Sequence, residues 1–368
     1  MHAATAVLLL VLLAACTRPA PREEGDEPPR PPVPPSAPAA PSKDGARLYV
    51  SDETGGHVVI IDPESRQVVG RLAVGKRPRG ILLSRDGSQL LVALSGSPIA
   101  GPGVDTSTLP PPDREADGIG VVDLAAGTLL RSYDSGPDPE AFDISLDGTK
   151  VYVSNEDAAE MSVLDLTKGE VTRRVAVGEE PEAVALRPDG QVVYVGCEED
   201  NEVVAVDTTT TKVLAHVPTG ARPRGIVFTK DGATAFVANE NDASVTVVDA
   251  VRHVPAGTIR IPPGDDAQSH PRPMGMVLSP DEQQLYVSLG RGRGIAVIDA
   301  SKRAFARTIP DVGTRPWGIA ISPDGRKLYT ANGPSADVSI VDIETGQVDV
   351  RVTTGGSPWG VVIAPGRR

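Results

Sequence analysis

The chain has 368 residues, 40% hydrophobic and 23% charged, a balance that suits a globular protein with a real core and excludes disorder throughout. Its formal charge of −13 and pI near 4.9 argue against a nucleic-acid partner, because neutralising a phosphate backbone takes clustered lysine and arginine.

The first residues, "MHAATAVLLLVLLAAC", hold an apolar run over residues 6–13. This is well short of the ~20 residues a membrane-spanning helix needs, so it reads as a secretion signal. Its end, Leu13-Ala14-Ala15-Cys16, resembles a bacterial lipobox. That motif implies cleavage before Cys16 and lipidation of its thiol, so the anchor reaches the membrane through lipid. Cys197 is then the only thiol left, and no intramolecular disulfide forms. Residues 17–45 carry prolines at 19, 21, 28, 29, 31, 32, 34, 35, 38 and 41. Such a segment cannot bury apolar surface and favours extended polyproline geometry, so it is expected to be a disordered stalk.

Residues 46–368 are periodic. A marker proline recurs at 78, 139, 181, 223, 273, 316 and 358, and an aspartate ending an apolar run recurs at 62, 123, 165, 207, 249, 299 and 342. The usual spacing of 42 residues is the length of one four-stranded propeller blade, and both markers count seven. After each proline comes an apolar run, then a turn, then a second run with an aromatic. The turn is Asp-Gly at 86–87, 147–148, 189–190, 231–232 and 324–325, where glycine supplies the positive φ that a tight turn needs. Asp281-Glu282 departs from this and is expected to turn differently. Tyr49, Tyr152, Tyr194, Phe236, Tyr286 and Tyr329, with Leu91 in one copy, share one slot and are expected to pack between blades. Asn155, Asn201, Asn239 and Asn332 follow the second run, where turn chemistry accounts for them.

The expected fold is therefore an all-β, seven-bladed propeller of four-stranded antiparallel blades. Its first strands begin mid-blade at Arg47, and a last C-terminal strand completes that blade, which closes the ring. Two insertions stand out, residues 95–118 between a second and third strand and residues 262–272 before a first strand.

The phrases Tyr152-Val153-Ser154-Asn155, Ser162-Val163-Leu164-Asp165 and Val175-Ala176-Val177-Gly178 resemble the YVTN-type β-propeller repeat family. "SGPDPEAFDISLDGTKVYVSNED", "VGEEPEAVALRPDG" and the closing "SPWGVVIAP" are similar to its PQQ-dependent catabolism-associated subgroup. That resemblance implies a periplasmic protein beside quinoprotein alcohol oxidation, with no activity of its own assigned. The tryptophan docking motif of the quinoprotein dehydrogenases is missing, since Thr345-Gly346-Gln347-Val348-Asp349-Val350 has no tryptophan.

First strands line a propeller's channel, so residues flanking the marker prolines should rim its mouth. Before them stand Arg77, Asp138, Glu180, Arg222, Arg272, Arg315 and Ser357; after them stand Arg79, Glu140, Glu182, Arg224, Met274, Trp317 and Trp359. The pattern reads as an acidic, a basic and an aromatic arc. Arg79, Glu140, Glu182, Arg224, Arg272, Met274, Arg315, Trp317 and Trp359 are the candidate ligand-binding residues. The competing reading pairs the charges across blades and uses the tryptophans as caps. His57, His216, His253 and His270 lack ligand spacing, and no catalytic residue, metal site or cofactor is assigned.

Three functions stay open. One is a lipid-anchored, monomeric envelope scaffold that faces the periplasm or cell surface and binds a protein partner or small ligand. Another is a propeller hydrolase or lactonase in which Glu140 and Glu182 hold a metal ion. The third is a structural surface protein that uses its outer edges and the 95–118 insertion.

Overall fold

The computed structural model describes residues 45–99, 108–264 and 270–366. Cys16, the signal segment, the stalk before residue 45 and parts of both insertions lie outside the described residues.

Blade 1 combines β1 (Arg47–Asp52), β2 (His57–Asp62) and β3 (Gln67–Ala73) with the C-terminal strand β28 (Pro358–Ala364). Blade 2 is β4 (Pro78–Leu83), β5 (Gln89–Leu94), β6 (Gly118–Asp123) and β7 (Thr128–Tyr133). Blade 3 is β8 (Pro139–Ile144), β9 (Lys150–Asn155), β10 (Glu160–Asp165) and β11 (Glu170–Ala176). Blade 4 is β12 (Pro181–Leu186), β13 (Val192–Cys197), β14 (Glu202–Asp207) and β15 (Val213–Pro218). Blade 5 is β16 (Pro223–Phe228), β17 (Thr234–Asn239), β18 (Ser244–Asp249) and β19 (Val254–Arg260). Blade 6 is β20 (Met276–Leu278), β21 (Gln284–Ser288), β22 (Ile295–Asp299) and β23 (Ala304–Ile309). Blade 7 is β24 (Pro316–Ile321), β25 (Lys327–Asn332), β26 (Asp337–Asp342) and β27 (Gln347–Thr353). The chain thus folds as a seven-bladed propeller of four-stranded antiparallel sheets.

Each repeated letter has a structural task. The seven marker aspartates end the third strand of their blades. Their Oδ1 atoms accept backbone N–H groups two or three residues on, as from Glu64 to Asp62 at 2.9 Å, and so form the turn into the outer strand. The aromatic slot is buried in all its copies, from Tyr194 at 0% to Tyr49 at 6% exposed. It packs between blades: Tyr49 joins Leu90, Val92 and Val122 of blade 2, and Tyr152 joins Val193 and Val195 of blade 4.

Two expectations need correction. Asp281-Glu282 does not turn differently: Glu282 takes φ 58°, donates its N–H to the Ser279 carbonyl at 2.8 Å, and matches the Gly87 to Ser84 bond of blade 2. The Ser279 hydroxyl bonds Asp281 at 2.6 Å just as Ser84 bonds Asp86 at 2.6 Å, so the turn is the same one with Glu282 in the glycine's left-handed backbone. Asn155, Asn239 and Asn332 are not turn residues either. They are fully buried strand ends whose Nδ2 atoms reach Ser162 at 3.0 Å, Ser244 at 2.9 Å and the Val312 carbonyl at 2.8 Å. Asn201, at φ 55°, does sit in a turn.

The first strands meet around the axis at very short range. The second residue after each marker proline is Gly80, Ala141, Ala183, Gly225, Gly275, Gly318 or Gly360. A Cβ on Gly80 would lie 2.7 Å from the Glu140 carbonyl oxygen, one on Gly275 2.7 Å from that of Trp317, and one on Gly318 2.8 Å from that of Trp359. Only very small residues fit. Serines of the second strands complete the joint, Ser51 donating to the Arg79 carbonyl and Ser288 to the Trp317 carbonyl, each at 2.6 Å.

In blade 1, β1 pairs with β28 through Arg47 opposite Ala364 and Asp52 opposite Pro358. Asp52 also accepts the Ser357 N–H at 2.8 Å, and Glu53 donates its N–H to the Ser357 carbonyl at 2.9 Å. Removing residues 358–368 should therefore open the ring. The expected result is loss of the cooperative thermal transition and rapid proteolysis of blades 1 and 7; a truncated chain that melts like the full one would contradict this closure.

Candidate functional site

A register shift follows the marker proline in most first strands, between Pro78 and Ile81, Pro139 and Phe142, Pro181 and Ala183, Pro223 and Ile226, and Pro316 and Ile319. Such bulges re-aim side chains. Here they turn the residue after the proline toward one mouth of the channel. The residue before it is held in left-handed backbone, with φ 42° at Arg77, 50° at Asp138, 48° at Glu180, 61° at Arg222 and 54° at Arg315.

The expected separate acidic and basic arcs do not form, because an isolated buried charge is costly and these side chains lean across blade boundaries to meet. Arg79 of blade 2, 2% exposed, is ion-paired with Asp138 and Glu140 of blade 3 and lies 3.4 Å from Glu156. Burial pulls its guanidinium below the ordinary arginine value against the pull of Asp138. Arg77 pairs with Glu53 at 2.9 Å. Arg79 and Glu140 are thus joined to each other beneath the rim.

A second cluster centres on Arg224. It is ion-paired with Glu182 and lies 2.6 Å from Glu198 and 2.9 Å from Glu240. Arg222 reaches Glu198 at 2.5 Å and Glu240 at 3.4 Å, and Arg272 reaches Glu240 at 3.8 Å. Burial is the chief influence on Glu198, whose side chain has no exposed surface, and pushes it up to about 9 despite Arg222. Burial acts the same way on Glu240, yet Arg224 and Arg222 outweigh it and hold that carboxyl below its ordinary value.

This cluster borders a cavity of about 230 Å³ at the mouth, whose walls include Glu182, Arg224, Met274, Met276, Trp317 and Trp359. The two indoles stack with ring centres 6.2 Å apart. Arg224 lies over Trp317 at 5.6 Å and Arg315 at 4.5 Å. The cavity has an apolar aromatic wall beside a buried guanidinium and a carboxylate. It can hold a flat ring on the indoles and place a carbonyl or hydroxyl within reach of charge.

Of the candidate residues, Glu182, Arg224, Met274, Trp317 and Trp359 therefore share one cavity; Arg315 covers Trp317, and Arg272 sits on the Glu240 side. Arg79 and Glu140 belong to the other cluster. Glu140 and Glu182 consequently answer to different arginines. Among the described residues no group of three or more His, Cys, Asp or Glu is placed to hold a metal ion. Glu140 and Glu182, the pair expected to hold a metal ion in the hydrolase reading, are each ion-paired to an arginine in separate clusters.

Sequence reasoning missed Glu53, Glu156, Glu198 and Glu240. Their signal was present: each directly follows the second strand, in "SDE", "SNE", "GCE" and "ANE". A larger hollow of about 540 Å³ lies between Glu53–Arg77 and the 95–99 and 110–113 parts of the first insertion. Its charges are already matched, Lys76 with Asp113 at 2.5 Å and Arg77 with Glu53.

Comparison with known proteins agrees with the architecture. The family model "Lactonase, 7-bladed beta-propeller" matches residues 207–363, and the "Choice-of-anchor I domain" model matches residues 43–219. No curated protein matches the chain. Among solved structures, Kuenenia stuttgartiensis hydrazine synthase aligns with TM-score 0.69 and 20% identity over 86% of this chain and 98% of that one. The periplasmic gluconolactonase of Pseudomonas aeruginosa aligns with TM-score 0.68 and 20% identity, covering 87% and 99%. A putative 6-phosphogluconolactonase from Bacteroides uniformis aligns with TM-score 0.66 and 18% identity, covering 87% and 100%. At these identities the structural likeness is one of fold. The protein is a seven-bladed β-propeller with a polar, aromatic-walled cavity at one mouth. The part of the chain similar to the lactonase model includes Arg224, Met274, Trp317 and Trp359 and stops short of Glu182.

Glu198 gives the site a pH signature. Because burial raises its value in the fold above that in the unfolded chain, it contributes stability that is complete below the ordinary glutamate value of 4.5 and fades as pH rises toward about 9. Melting curves across that window should fall more steeply with pH for the native chain than for Glu198→Gln. Parallel curves would show that Glu198 is ionised in the fold.

Proposed function

We propose that the mouth cavity binds and hydrolyses lactones of sugar acids. The observation that carries this is the placement of Arg224 and Glu182 together in the wall of the cavity that Trp317 and Trp359 also line. A sugar lactone is a compact ring with C–H faces that suit an indole and a carbonyl that suits a guanidinium. Arg224 would donate N–H bonds to the carbonyl oxygen as negative charge grows on it. Glu182 would take a proton from the attacking water as the new C–O bond forms, then return it to the ring oxygen as the old C–O bond breaks. The product is an open hydroxy acid, and the arrangement is restored.

The lactonase match over residues 207–363 supports this reading, as does the fold shared with a periplasmic gluconolactonase and a putative 6-phosphogluconolactonase. The sequence adds an envelope address and a lipid anchor on Cys16, proposed from residues 1–16 alone. The chain enters the propeller at Arg47, which pairs with Ala364 at the end of the blade away from Pro358. Association with PQQ-dependent oxidation rests on the subgroup resemblance, and its chemistry is compatible: oxidation of a cyclic hemiacetal yields a lactone, which this site would consume.

The test is proton release from glucono-δ-lactone by the full chain near pH 6.5. The expected rate exceeds the spontaneous one and drops about 100-fold in Glu182→Gln, in line with loss of a general base. A native rate no faster than buffer, or a Glu182→Gln rate equal to native, would overturn the proposal.

A further inference from the structure

Four arginines precede a marker proline: Arg77, Arg222, Arg272 and Arg315. Three of them lean on the glutamate that follows the second strand of the preceding blade. Arg77 meets Glu53 at 2.9 Å, Arg222 meets Glu198 at 2.5 Å, and Arg272 meets Glu240 at 3.8 Å. Arg315 is the exception. The equivalent position in blade 6 is Gly290, and in its own blade it is Gly333, so no side chain offers a carboxylate from either place. Among the described residues Arg315 has no carboxylate within ion-pair distance; its contact is the face of Trp317 at 4.5 Å.

The surroundings accentuate the gap. Burial is the largest influence on Arg315, and with Arg224, Arg291 and Arg222 it pushes the guanidinium below the ordinary arginine value against the pull of Glu240. Among the described residues, positive charge at this side of the mouth thus exceeds the negative charge that bears on it. It stands against the indole that walls the cavity.

We infer that Arg315 is a recognition residue for a carboxylate carried by the ligand, which takes the place that a glutamate side chain fills beside Arg77, Arg222 and Arg272. The site then selects acidic sugars and lactones bearing a free carboxylate over neutral ones. The ring lies on Trp317 and the planar carboxylate accepts the paired N–H donors of the guanidinium, a geometry that lysine does not reproduce. This rests on the proposed lactonase reading for the location of the ligand but not for its hydrolysis.

The experiment is calorimetric titration of the full chain with D-glucuronate, which has no lactone bond to open, beside its neutral amide and inorganic phosphate. Glucuronate should bind, and the amide should bind about tenfold more weakly, as loss of a charge-assisted contact implies. Arg315→Gln should remove that preference without shifting the melting temperature, and Arg315→Lys should restore part of it. Equal binding of acid and amide, absence of glucuronate binding, native affinity in Arg315→Gln, or phosphate binding as tightly as glucuronate would each overturn the assignment. Carboxylate selectivity without lactone turnover would defeat the hydrolytic reading alone, whereas turnover of a lactone carrying a free carboxylate that is indifferent to Arg315→Gln would defeat this inference alone.

Discussion

The structure depends on how closely seven inner strands approach one axis. At that radius there is no room for a side chain between a first strand and the carbonyl of the next, and the chain answers with glycine or alanine at each of the seven positions. The register shifts that accompany this approach have a chemical result. They lift the preceding residue out of the strand ladder and turn it to the mouth. The same constraint that closes the ring therefore presents a circle of side chains at its entrance.

What those side chains do follows from electrostatics in a partly dry place. Arginines and glutamates that face the mouth cannot remain alone, so they join across blades. Where the repeat supplies glutamate after the second strand, the joints close into two clusters around Arg79 and Arg224. Where it supplies Gly290 and Gly333, the joints stop and the tryptophans stand open. The cavity thus occurs where the repeat changes its letters, with Arg224 shared between the closed cluster and the open wall.

Much of the fold was legible in the sequence because a 42-residue repeat states each blade separately. The prolines, the strand-ending aspartates and the aromatic slot all predicted places that the structure assigns to them. The turn at Asp281-Glu282 misled because a glutamate there takes the positive φ that glycine supplies in the other copies. The buried asparagines misled because an amide at a strand end can equally turn the chain or fill a dry polar gap. At the mouth, the residues beside the prolines were visible, but their partners were not: Arg79 and Glu140 meet only because side chains lean between blades, and no spacing along the chain reports that. Glu198 and Glu240 recur visibly yet gain meaning only beside Arg222 and Arg224.

The central claim is that the cavity walled by Trp317 and Trp359 holds the ligand. These are the only two tryptophans of the chain, so its intrinsic fluorescence reports on this cavity. The most direct measurement is tryptophan emission of the full chain titrated with gluconate, the open acid that lactone hydrolysis would release. The account predicts a saturable change that Arg315→Gln weakens and that glycerol at the same concentration does not produce. A flat titration across the millimolar range would contradict it.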